Sequence, residues 1–136
     1  MLAWRTFAES STMSDVLLDT CIVIDFLRAD RRAGDYVQSL HDKPSVSVVT
    51  VAELFQGFSS QRRETEARRF ISECRILIVS ETIAERTGAI LRHYKASHDL
   101  DMSDALIAAT AEHHGHELAT LNVKHFPMFR RLRAAY

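Results

Sequence analysis

Cysteine is nearly absent from this 136-residue chain. Cys21 and Cys74 are the only two, too few for a disulfide framework or a thiolate metal clip, so a reducing cytoplasm is the expected compartment. No apolar run is long enough to span a membrane, and Arg5 and Glu9 break up the only stretch placed to be a signal peptide. Surplus charge is missing too. Seventeen basic side chains stand against 18 acidic ones, giving −1, so any attraction for a polyanion must come from a local patch. There are no repeats, linkers or low-complexity segments. What is present, 46% hydrophobic and 26% charged residues, is the composition of an ordered globular protein. Met13 sits just before the first strand-like run. Residues 1–12, Trp4 included, therefore read as an extension without function, a tag or an alternative start, and 13–136 as one domain.

The chain alternates strand-like and helix-like patterns. Val16, Leu17 and Leu18 form a short apolar run that stops at Asp19 and feeds a helix over 21–28, with a second helix from Arg31 to about position 41. Serine and valine alternate over 45–49, a second strand, and a helix is expected from Thr50 to Phe58. A mixed-charge helix over 61–72, a strand over 75–79 and a long amphipathic helix over 80–97 follow. Residues 101–111, D-M-S-D-A-L-I-A-A-T-A, open an almost wholly apolar helix that ends at Gly115. Its lack of charge over 105–111 places it in the interior. A fourth strand over 117–121 precedes a basic tail, 127–136, with a short edge strand expected near its end. This order predicts an α/β fold, a short, mainly parallel sheet with helices on both faces.

Ligands of such sheets bind beyond the carboxyl ends of the strands. Asp19 follows the first strand, Glu53 lies in the helix after the second, Asp104 begins the apolar helix and Asn122 follows the fourth strand. Oxygen donors without thiolate or imidazole partners suit a hard octahedral cation, Mg2+ or Mn2+, which can activate water for attack at phosphorus. Each residue also has a plain structural reading. Asp19 and Asp101 are suited to capping helices, Thr50 and Glu53 form a T-x-x-E capping box, and Asn122 is a common turn residue. Recurrence of acids at one sheet edge in three successive units favours the functional reading. The helix terminus is expected to hold Asp101 and Asp104 ionised.

These residues resemble the PIN-domain ribonucleases, in particular the VapC toxins of bacterial toxin–antitoxin pairs. The likeness runs through V-L-L-D-T-C at Asp19, V-T-V-A-E-L at Glu53, S-D-A-L-I-A-A-T-A at Asp104 and L-A-T-L-N-V-K-H-F at Asn122, and covers essentially everything after Met13. It implies a three-layer α/β/α sandwich and a Mg2+-dependent endoribonuclease acting on RNA, often a homodimer, held inactive by a VapB-like antitoxin. It also implies an acidic triad of Asp19, Glu53 and Asp104, with Asp101 one helical turn away as a supporting ligand. The family's fourth position is often Asp; Asn122 there favours one tightly held ion, mainly on Asp19 and Asp104 with Glu53 acting through water. Thr20 is expected to hydrogen-bond the metal's water or the scissile phosphate. A PIN-like module that binds without cutting and a receiver-type phosphoacceptor are the competing readings.

Other residues invite interpretation. His113, His114 and His116 look like a zinc motif but fit better as cations at a helix C-terminus. Arg62, Arg63, Arg68 and Arg69 interleave with Glu64 and Glu66, the pattern of a solvated helix face. Lys124, Arg130, Arg131 and Arg133 lack compensating acid, and an RNA backbone contact is expected there. Phe26, Leu27, Phe55 and Phe58 are core candidates that also suit a groove for an amphipathic antitoxin segment.

Overall fold

The computed structural model describes residues 15–94 and 97–136. The expected extension at 1–12 and the last turn expected of the long helix, at 95–96, lie outside these residues. Four strands, β1 (Val16–Leu18), β2 (Ser45–Ser47), β3 (Arg75–Leu77) and β4 (Glu117–Ala119), form one sheet in the order β3-β2-β1-β4. All three pairings are parallel, with Leu17 opposite Ser45 on one side and Leu118 on the other. The chain steps outward from β1 through β2 to β3, then returns to place β4 on the other flank of β1. That reversal creates a crevice at the carboxyl ends of β1 and β4.

Alternation along each strand splits the core in two. Leu17 and Leu118 face α5 (Glu81–Tyr94) and α6 (Met102–His114), burying Ile83, Ile90, Ile107 and Phe126 around them. Leu18, Val46 and Ala119 face the other way. They meet Ile22 and Val23 of α1 (Thr20–Leu27), Val37 of α2 (Arg31–Gln38), Leu54 of α3 (Val48–Leu54) and Phe70 of α4 (Gln61–Ser72). The period of two thus produces the three-layer α/β/α sandwich. Helix α6 runs through the interior as its composition predicts, with Ala105, Ala108, Ala109, Thr110 and Ala111 buried. Gly115 stops it in the left-handed conformation at φ 66°, a geometry that needs no Cβ. Among the described residues no helix is long and apolar enough to cross a membrane.

Several boundaries differ from the sequence expectation, each for a local reason. The second strand ends at Ser47, whose hydroxyl accepts from Val49 N and caps α3 three residues before Thr50. Thr50 is therefore inside the helix, and the T-x-x-E capping box does not form. Helix α2 ends at Gln38 and α3 at Leu54, while β3 ends at Leu77. The tail forms no edge strand: a 3-10 turn, Val123–His125, leads into loops that return to β4 through a single bond, Ala135 N to Thr120 O at 3.0 Å.

Candidate active site

Asp19 lies where β1 turns into α1. Its side chain is 4% exposed. Oδ1 accepts from Thr20 N at 2.8 Å, so the residue caps α1, and Oδ2 accepts from the Thr120 hydroxyl at 2.7 Å. Thr120 in turn accepts from Asn122 N at 3.0 Å, which ties the end of β4 and the following turn to the same carboxylate. The Cys21 thiol approaches Asp19 Oδ2 at 3.5 Å. Burial and then the Asp19 charge push that thiol up to about 11, so it stays protonated and is no nucleophile at neutral pH.

Glu53 reaches the same crevice from α3. Its Oε1 accepts from the Thr20 hydroxyl at 2.6 Å. Thr20 has one hydroxyl proton, committed to Glu53, so in the 2.9 Å contact with Thr50 it is Thr50 that donates. A relay Thr50 to Thr20 to Glu53 therefore fixes the acid, which makes no capping bond to the start of its own helix.

The second half of the site is built on the N-terminus of α6. Asp101 caps the helix, its Oδ1 accepting from Asp104 N at 2.8 Å, and is exposed. The Asp104 side chain is 15% exposed, and His125 Nδ1 stands 3.2 Å from its Oδ2. The expectation that the helix terminus would favour the charged form is reversed for Asp104. Burial and the neighbouring Asp101 carboxylate push it up to about 6; His125 opposes the shift and Asp19 adds to it. Desolvation and two like charges outweigh a half-charge dipole. Among the described residues, His125 is the one basic side chain found to act on Asp104.

The structure thus joins Asp19, Thr20 and Glu53 through hydrogen bonds and brings Asp104 within electrostatic reach of Asp19 and of the exposed Asp101. Asn122 is exposed and is tied in through its backbone, its N–H donating to the Thr120 hydroxyl and its carbonyl accepting from His125 N at 2.9 Å. Among the described residues no three His, Cys, Asp or Glu side chains close around one point. Three neighbours escaped the sequence reading as site members: Thr50, Thr120 and His125. Thr120 and His125 flank Asn122 within a few residues, which was the available signal. The three histidines at the end of α6 touch edge to edge but, among the described residues, form no group that could hold a metal ion. His116 Nε2 meets Ser45 Oγ at 3.2 Å, and burial and its neighbouring histidines hold His114 below the usual imidazole range.

Beside Glu53, the side chains of Ile24, Leu27, Leu54 and Phe58 line an open groove of about 420 Å³ between α1 and the α3–α4 connection. Arg63 closes one end by donating to Leu27 O at 3.2 Å. Phe58 is partly exposed, while Phe55 is covered by the Arg68 guanidinium 4.7 Å from its ring centre.

The sequence profile of the PIN domain matches residues 16–132. Ribonuclease VapC10 of Mycobacterium tuberculosis is 40% identical over 124 residues, spanning 89% of this chain and 92% of that protein. Ribonuclease VapC19 of the same organism is 37% identical over 125 residues, 88% and 98% of the two chains. A toxin–antitoxin complex from Klebsiella pneumoniae contains a chain that superposes with a TM-score of 0.79 at 32% identity, covering 90% of this chain and 98% of that one.

Proposed function

The chain belongs to the PIN-domain family and, within it, to the VapC-type toxins, and on that premise we propose that it is a Mg2+-dependent endoribonuclease neutralised by a VapB-like antitoxin. One observation carries the reading: burial, then the Asp101 carboxylate and, more weakly, Asp19 push the pKa of Asp104 up to about 6, so carboxylates crowd one crevice where, among the described residues, His125 is the basic side chain that opposes the shift. Crowded oxygen ligands of this kind fit a hard divalent cation. Mg2+ keeps several waters and takes one or two carboxylates, so a site without a third acid already in place suits it, and Mn2+ is the natural substitute. When bound, the ion supplies water activation and neutralises charge at the phosphorus under attack.

The chain's own residues divide the remaining work. Asp19 and Asp104 would hold the cation, and Asp101 adds negative charge at the rim. Glu53, fixed by Thr20, would add a further carboxylate for the ion's water. Thr20 spends its proton on Glu53, so its contact with a substrate phosphate is made by its methyl or requires Glu53 to let go. The exposed Asn122 amide is free to meet RNA. The PIN assignment displaces the receiver-type alternative.

The antitoxin is assigned to the groove beside Glu53. Its apolar wall of Ile24, Leu27, Leu54 and Phe58 suits one face of an amphipathic helix, and the Klebsiella relative was solved as a toxin–antitoxin complex. A cytoplasmic homodimer completes the proposal. The test is cleavage of total bacterial RNA by antitoxin-free protein, with Mg2+, with EDTA and with Asp104→Asn. Discrete fragments that require both the ion and Asp104 support the nuclease. Folded protein that leaves RNA intact in Mg2+ selects the non-cutting module instead.

A further inference from the structure

We propose that single-stranded RNA leaving the carboxylates runs along the outer edge of β4, through a groove walled by the C-terminal loop; this rests on the nuclease reading above and names the path of its substrate. The groove has a volume of about 750 Å³, and Arg130, Arg131 and Arg133 line it together with Tyr36 and Phe129. It opens beside Glu117 and Leu118, while Thr120 and Asn122 belong to the site. The separation along a strand is only about 10 Å, a few nucleotides at most.

Charge singles out this surface. No acidic residue occurs from Leu118 to Tyr136, a stretch that carries Lys124, Arg130, Arg131 and Arg133 in a chain whose total is −1. Elsewhere, among the described residues, Arg32, Arg63, Arg68, Arg75 and Arg86 each have a carboxylate partner, and the unpaired Arg28, Arg31, Arg62, Arg69 and Arg92 are interspersed with acids along the sequence. The three loop arginines have no ion pair among the described residues, and all are exposed. Glu117, at the start of β4, is the single acid in the lining. A cationic groove interleaved with aromatic rings is the arrangement that tracks a single-stranded backbone and stacks its bases.

The loop is also held in place. Leu132 packs on the core while the arginines on either side point outward. Beyond it, Ala135 N bonds Thr120 O, the Tyr136 hydroxyl donates to Asp25 Oδ2 at 2.6 Å, and the Arg32 guanidinium lies 5.3 Å from the Tyr136 ring centre. With Phe129 packed on the core before the arginines and Ala135 and Tyr136 bonded after them, the cationic arc is bracketed at both ends, so little ordering entropy opposes binding.

The test measures anisotropy of a fluorescein-labelled 15-nucleotide single-stranded RNA of mixed sequence on the full chain carrying Asp104→Asn, which removes cutting. Arg130→Gln, Arg131→Gln and Arg133→Gln are added together in one protein. Arg62→Gln and Arg69→Gln, two arginines of α4 without ion pairs, are added in another. The proposal predicts about tenfold weaker binding for the first, with the slope of log K against log salt reduced by about 2, and less than about twofold change for the second. Equal losses in both, or none in the first, would overturn it; an acidic peptide as the true occupant would give the latter. Because binding is read without cleavage, failure of the nuclease reading shows separately, as absence of metal-dependent cutting by the parent chain.

Discussion

The two carboxylates of the crevice are built in opposite ways. Asp19 is held by a backbone N–H and a threonine hydroxyl, with Thr120 itself anchored by Asn122 N. Asp104 is largely buried beside Asp101 and Asp19; burial first and then those charges push its pKa up to about 6, with His125 opposing. One half fixes geometry with neutral donors. The other stores like-charge repulsion that a cation would discharge. The contrast predicts that the two acids respond oppositely to the same substitution.

The largest expected effect is on cleavage. Asp19→Asn and Asp104→Asn should each lower kcat by about 1000-fold or more, roughly 4 kcal/mol of transition-state stabilisation. Their stabilities should diverge. In EDTA at pH 7.5, Asp104→Asn removes a disfavoured charge and should raise Tm by a few degrees. Asp19→Asn disturbs a satisfied buried network and should cost about 1–2 kcal/mol. Matching shifts in both variants would erase the distinction.

Proton linkage sharpens the same contrast. The folded-state pKa of Asp104 lies above the ordinary 3.8, so the folded chain binds that proton more tightly than the unfolded one. The group's stabilising contribution is complete below pH 3.8 and is lost as pH rises to about 6. A cation needs the ionised form. Mg2+ affinity should therefore fall about tenfold per pH unit below 6 in an isothermal titration, and an affinity flat from pH 5 to 7.5 would contradict the assignment.

Smaller changes test the neutral half. Thr120→Val removes the donor to Asp19 Oδ2 and the acceptor for Asn122 N, with an expected loss of about 1–3 kcal/mol in denaturant unfolding. Ala29, between α1 and α2, is remote from the chemistry and has a left-handed φ of 60°. Ala29→Gly should raise stability by up to about 1 kcal/mol and leave cleavage unchanged. It provides the reference for a stability gain unconnected to the site.

Much of this arrangement was legible in the sequence because its signals are local. Strand alternation at Leu17 and Leu18, the uncharged run over 105–111 and the Gly115 stop lead directly to a parallel α/β sandwich. The acids at strand ends follow from the rule for such sheets. Less was legible where a hydroxyl decides. Ser47, rather than Thr50, starts α3, since either serine or threonine can cap and only the sheet register selects between them. Thr50 reads as a helix cap and Thr120 as an ordinary strand residue, because the groups they touch lie 30 and 101 positions away in sequence and only the fold brings them together. The Asp104 shift was read with the wrong sign because burial depends on tertiary packing, whereas the helix dipole can be inferred from sequence. The edge strand expected in the tail failed for another reason: Leu132 turns inward and the arginines outward, leaving no continuous backbone to pair with β4.

The most direct measurement is the thermal midpoint of the wild-type chain and of Asp104→Asn, each with EDTA and with Mg2+ at pH 7.5. The account predicts that the variant is the more stable in EDTA and that Mg2+ raises the wild type alone. A variant less stable in EDTA, or an equal Mg2+ shift in both proteins, would contradict it.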